Sequence, residues 1–93
     1  MENWSVVRGR VHSVGEDAAR PDFKRVELAV DEIAPVDGFA PAVEADAGGS
    51  VVEIAVPRAT ADALALARGM HVEMHTRATP VGLFAHPDRA RVV

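Results

Sequence analysis

The sequence predicts an all-β domain with one short helix, in the order three strands, helix, two strands. Three observations predict it. Valine supplies 15 of the 93 residues and aromatics only four, and β-branched side chains in that quantity suit pleated, half-buried strands. Several stretches alternate apolar and polar residues with period two. Ser50 to Arg77, SVVEIAVPRATADALALARGMHVEMHTR, reads as strand, capped helix, glycine and strand in succession.

The first strand is Trp4 to Val14. Alternation puts Ser5, Val7, Gly9, Val11 and Ser13 on one face, and Trp4, Val6, Arg8, Arg10, His12 and Val14 on the other. Gly9 is poor strand chemistry unless the chain coils or another backbone comes close, so it marks a coiling point. The turn residues of Gly15 to Asp22 end the strand. The second strand, Phe23 to Ile33, sends Val26, Leu28 and Val30 inward and Phe23, Arg25, Glu27 and Ile33 outward. Residues 34–50 hold two prolines and three glycines with no sustained period, the pattern of a long surface loop.

Val51 to Val56 is the third strand, with Val52, Ile54 and Val56 inward, and Pro57 stops it. A helix follows over residues 59–68. Thr60 is its expected N-cap, Asp62 and Arg68 suit the two ends of the helix dipole, and Gly69 is the expected C-terminal residue. Leu64 and Leu66 are expected to close one end of the core. Met70 to Arg77 is the fourth strand, with Met70, Val72, Met74 and Thr76 opposed to His71, Glu73, His75 and Arg77. A fifth strand, Val81 to Ala85 with Ala90 to Val93, is broken by a turn at His86–Pro87–Asp88.

One domain over residues 1–93 is expected, since a chain this short buries only about 60–65% of its unfolded surface. No cysteine is present, so disulfides and thiolate metal sites are excluded. The first ten residues lack a signal-peptide pattern, and nothing approaches the ~20 apolar residues of a membrane span. Cytoplasmic is the expected location. Nine arginines against one lysine, with 17 alanines, suggest a GC-rich bacterial origin. The net charge of −4 is concentrated, because residues 31–50 carry Asp31, Glu32, Asp37, Glu44 and Asp46 and no cation. The remainder is nearly neutral.

The strand order, carried by VVRGRV, PDFKRVELAV, VVEIAV and LARGMHVEM, resembles the OB-fold, a five-stranded Greek-key barrel. The likeness, over residues 4–77, is to bacterial single-stranded DNA-binding proteins and related small replication domains. It implies a non-catalytic module that binds single-stranded DNA or RNA by stacking bases on aromatics. Only Trp4, Phe23, Phe39 and Phe84 can stack. The expected nucleic-acid face is that of the first two strands, with Arg8, Arg10, His12, Lys24 and Arg25 beside Trp4 and Phe23. The bland alternative pairs Arg8 and Arg10 with Glu27 and Glu53.

The rival reading is a protein-interaction domain or a small subunit of a larger assembly. It would use exposed strand edges or the acidic loop, through Asp37, Phe39, Glu44 and Asp46, and a small core with an open edge leaves room for a homo-oligomer. Within the loop, Val36, Phe39 and Val43 are apolar enough to dock. His71, Glu73 and His75 share a face, but His71 and His75 lie ~13 Å apart along a strand, too far for one zinc ion. No nucleophile elbow, phosphate-binding loop or carboxylate pair is visible. Neither an enzyme nor a cofactor is expected.

Overall fold

The computed structural model of the protein describes residues 2–44 and 48–93. Five strands and one helix follow one another as β1 (Ser5–Glu16), β2 (Phe23–Pro35), β3 (Val51–Pro57), α1 (Arg58–Ala63), β4 (His71–Thr79) and β5 (Gly82–Val92). The strands close into a barrel in the order β1-β2-β3-β5-β4. All pairs are antiparallel except β3 with β5, where Ile54 meets Leu83 and Ala55 meets Phe84. This is the predicted fold class, and its order is compatible with an OB-like fold.

Alternation explains the core. Val7, Val11, Val26, Leu28, Val30, Ile54, Val56, Val72 and Met74 are all buried inside the barrel. Gly9 lies where β1 passes closest to β2. A Cβ there would overlap the Ala29 carbonyl oxygen and come within 3.0 Å of Leu28 Cγ, so the coiling point is a true close approach.

Two bulges correct the strand faces. The β1–β2 register slips between Arg8 and Gly9, leaving Asp31 unpaired, and again between Val11 and Ser13. Each extra residue reverses the faces beyond it. Ile33 and Val14, both expected outside, therefore pack against the core. Ser13 turns outward and donates to Glu27 Oε1 at 2.6 Å. The expected break in β5 is an irregularity in the ladder, since Thr76 pairs with Ala85 but Met74 pairs with Ala90, so residues 86–89 stand opposite the single His75.

The helix is shorter than 59–68 and begins earlier. It starts at Arg58, directly after Pro57, with no side-chain cap, and has neither an acid in its first turn nor a base in its last. Thr60 instead donates its hydroxyl to the Pro87 carbonyl at 2.8 Å. The helix ends in a Schellman motif: Leu66 N–H reaches Ala61 O and Ala65 N–H reaches Asp62 O. The left-handed residue this motif requires is Ala65, at φ 50°. Gly69 serves a later turn. Ala61 and Leu66 close the core, while Leu64 does not belong to it.

A left-handed alanine is strained by about 1 kcal/mol, and glycine is not. Ala65→Gly is therefore expected to raise stability by about 0.5–1 kcal/mol despite glycine's larger unfolded entropy. A urea melt of both proteins checks this, and an unchanged or lower midpoint would show that the motif is not strained.

The described part of the 34–50 segment is docked on the barrel. Asn3 bridges to Ala40, and Trp4 N–H donates to Ala40 O at 2.9 Å. The buried Ser5 Oγ accepts the amides of Ala42 and Val43 at 2.9 and 3.2 Å, and Val43 is only 7% exposed. The proline and glycine pattern predicts a long surface loop with Val36, Phe39 and Val43 able to dock; of these Val43 enters the core while Phe39 stays exposed. No helix among the described residues is long and apolar enough to cross a membrane.

Candidate functional site

A groove of about 600 Å³ runs along the outer wall, lined by Trp4, Phe23 and Phe84 with Arg77 and His86. The groove's far rim is the β4–β5 turn, including Pro80 and Val81, and Pro57 closes the β3 side. Non-local pairing assembles it. Arg77 lies opposite Phe84 on β5, Phe84 opposite Ala55 on β3, and Ala55 opposite Arg25 on β2. Phe84 thus stands between Arg77 on the adjacent β4 and Ala55 on the adjacent β3, with Arg25 one strand further away on β2.

Each side chain is held by its own local chemistry. Asn3 brackets Ala78, donating to its carbonyl at 3.1 Å and accepting its amide at 2.7 Å, and so fixes the neighbouring Trp4 beside β4. Trp4 packs on the His86 ring at 5.5 Å. Asp88 N–H donates to His86 Nδ1 at 3.0 Å, which makes Nδ1 the acceptor and leaves Nε2 to carry the proton of the neutral ring. Phe23 meets Phe84 edge to face at 5.5 Å, a favourable geometry.

The β1–β2 turn places a cation over this pair. Asp17 accepts the Ala19 amide at 3.1 Å and pairs with Arg20 at 2.9 Å, and the Arg20 guanidinium lies 4.9 Å from the centre of the Phe84 ring. Arg58 ties the turn to α1, donating to Pro21 O at 3.0 Å and to Glu16 at 2.8 Å. Across the groove, Thr79 braces the β4–β5 turn by donating to Gly82 O and accepting from Val81 N–H.

The residues expected to form one basic face fall into three places. Trp4 and Phe23 line the groove, while Arg25 is separated from Arg77 by β3 and β5. Arg8, Arg10 and His12 run down the outside of β1 toward β4, exposed. Lys24 turns to the barrel end and pairs with Asp62 at 3.5 Å. Arg8 is clamped by Glu73 at 2.6 Å, which also holds Arg91 at 3.0 Å, so the suggested partners Glu27 and Glu53 are replaced by one residue of β4. Of the acidic-loop set, Asp37 and Glu44 are exposed and Phe39 is 41% exposed; Asp46 lies outside the described residues.

Arg20 and Arg77 escaped the sequence reading of the nucleic-acid face, and Phe84, one of the four residues able to stack, was not placed on it. Phe84 carried a signal, as the aromatic of a strand whose neighbours Leu83 and Ala85 point inward. Arg77, which lines the groove, has no carboxylate partner among the described residues, so the groove keeps a free positive charge; Arg25, also without one, lies outside the lining on β2. On the same outer face, burial and nearby Arg89 push the His75 pKa down.

Glu73 predicts an acid limb in stability. Hydrogen bonds from Arg91 and Arg8 hold its carboxyl below the ordinary value of 4.5. Its contribution is therefore complete above that value and lost as pH falls through the lower folded-state value. The fall in melting temperature between about pH 6 and 3 should be smaller in Glu73→Gln than in the wild type. Parallel curves would exclude Glu73 as a source of the acid limb.

No protein-family model matches the chain, and no curated protein matches it. What the groove can do must be read from its chemistry: flat aromatic faces, guanidiniums and a fixed imidazole N–H around an apolar concavity.

Proposed function

We propose that the barrel is a non-catalytic module that binds single-stranded nucleic acid in the aromatic groove. The carrying observation is the placement of Phe84 between Phe23 and Arg77, under Arg20. Bases need apolar π-faces to stack on, and the phosphates that follow each base need cations nearby. The groove supplies both within one wall of the barrel. It also lies between the β1–β2 and β4–β5 turns, the region by which OB-folds take oligonucleotides, in keeping with the resemblance to bacterial single-stranded DNA-binding domains.

This moves the expected interface. Trp4 and Phe23 remain in it, Arg25 lies outside its lining on β2, and Arg8 is left out of the stacking site because Glu73 holds it against β4. The acidic character of residues 31–50 does not weigh against the reading, since affinity for phosphate depends on local rather than total charge.

A protein segment is the second reading. Val81, 69% exposed at the groove rim, and the prolines around it would suit an apolar peptide. The test is fluorescence anisotropy of labelled single-stranded DNA and RNA at low and physiological salt, with Trp4 emission followed in parallel. Saturable binding that weakens with salt and alters Trp4 emission supports the nucleic-acid reading. Absence of binding at low salt overturns it in favour of a protein partner.

A further inference from the structure

Midway along β1, Arg10, His12 and Arg68 line a second depression, of about 260 Å³, that shares no lining residue with the groove. The backbone builds it. Val11 N–H donates to Met70 O and Gly69 N–H donates to Val11 O, each at 2.8 Å, which straps the Arg68–Gly69 turn against β1. Gly69 has φ 92°, a conformation that glycine adopts without strain.

Arg10 is aimed by a relay. Its Nη2 lies 3.4 Å from His71 Nε2, and His71 Nδ1 lies 3.9 Å from Asp31. Neither Arg10 nor Arg68 has a carboxylate within ion-pair distance among the described residues. Two guanidiniums around a concavity, with no internal counter-charge, fit a phosphate group, which accepts their forked donors.

The wall between this depression and the groove is continuous. Along β1 and β4, Val6 lies opposite His75, Arg8 opposite Glu73 and Arg10 opposite His71. From Trp4 to Arg10 the strand covers ~20 Å. Midway, Arg8 and Arg91 share the single Glu73 carboxylate, so this triad keeps a net positive charge. Asp31 and Glu32 border the wall on the β2 side, where like charge would turn a polyanion back toward β4 and β5.

We propose that the Arg10–Arg68 depression is a phosphate subsite, and that a single strand whose bases stack in the aromatic groove runs along β1 and β4 to reach it. The inference rests on the reading above and adds a track to it. It requires an occupant several nucleotides longer than the groove itself.

The test uses labelled oligothymidylates of three and eight nucleotides against the wild type and an Arg10→Ala/Arg68→Ala variant. An eight-mer offers about six registers for a three-nucleotide site, so chance placement accounts for roughly sixfold tighter binding. The wild type is expected to prefer the eight-mer by about thirtyfold or more. The variant should keep the three-mer affinity within about twofold, lose the excess on the eight-mer and show a salt slope smaller by about one. Both arginines are exposed, and the urea midpoint should be unchanged. A variant that keeps the full eight-mer preference overturns the subsite. A wild-type preference no larger than the register factor overturns the track and leaves the groove reading standing. Failure of the wild type to bind either oligomer overturns both.

Discussion

Gly9→Ala is expected to destabilise the barrel by about 3 kcal/mol, a large part of what a domain this small can hold. The new methyl would overlap the Ala29 carbonyl oxygen. Backbone cannot rotate away as a side chain can. Relief requires β1 and β2 to separate, and these strands share the longest ladder in the sheet, from Ser5 opposite Pro35 to Glu16 opposite Lys24. The close approach also falls at the bulge between Arg8 and Gly9, where the barrel wall coils, so separation would unbend the wall and open the core around Val7 and Val11. Gly15→Ala is the control. Its added Cβ would meet only Arg25 Nη2, at 3.8 Å, and the loss of glycine's unfolded entropy should leave it neutral or slightly stabilising. Urea midpoints of the three proteins decide the matter. Equal tolerance of alanine at both positions would mean that the strands can part at Gly9 without cost.

Gly9 was legible in the sequence because glycine weakens a strand of alternating valines unless a bend or a neighbouring backbone needs the missing Cβ. The inward faces were legible because period two follows from strand geometry. The bulges were not. Nothing local distinguishes Asp31 as the unpaired residue, since the slip is imposed by closing β1 onto both β2 and β4. Ile33 and Val14 therefore changed faces. The helix end was hidden for a different reason: Gly69 offered the conventional signal, whereas Ala65 takes the left-handed conformation because Leu66 must turn back onto the core. In the site, Trp4 and Phe23 could be recognised as stacking surfaces. Their company could not, because Phe84 reaches Phe23 only through the parallel pairing of β3 with β5, between residues about thirty positions apart.

Phe84→Leu should separate the two readings of the groove. Replacing the ring by a branched aliphatic chain keeps most of the apolar surface over Ala55, so the fold should lose under about 1.5 kcal/mol. A peptide that seeks apolar surface should lose little affinity from this change. A stacked base loses its π-face, and stacking is worth about 1–3 kcal/mol per base, which corresponds to a roughly 5- to 150-fold weaker complex. The Leu substitution removes no charge and leaves Arg20 paired with Asp17, so the salt slope should stay the same while affinity falls. Arg77→Ala should do the reverse. It should lower the slope by about 0.7 for one lost phosphate contact and cost less affinity. Anisotropy titrations at several salt concentrations resolve the two effects. If Phe84→Leu binds single strands as tightly as the wild type, the ring is structural, and the arginines would then be gripping a backbone whose bases point elsewhere.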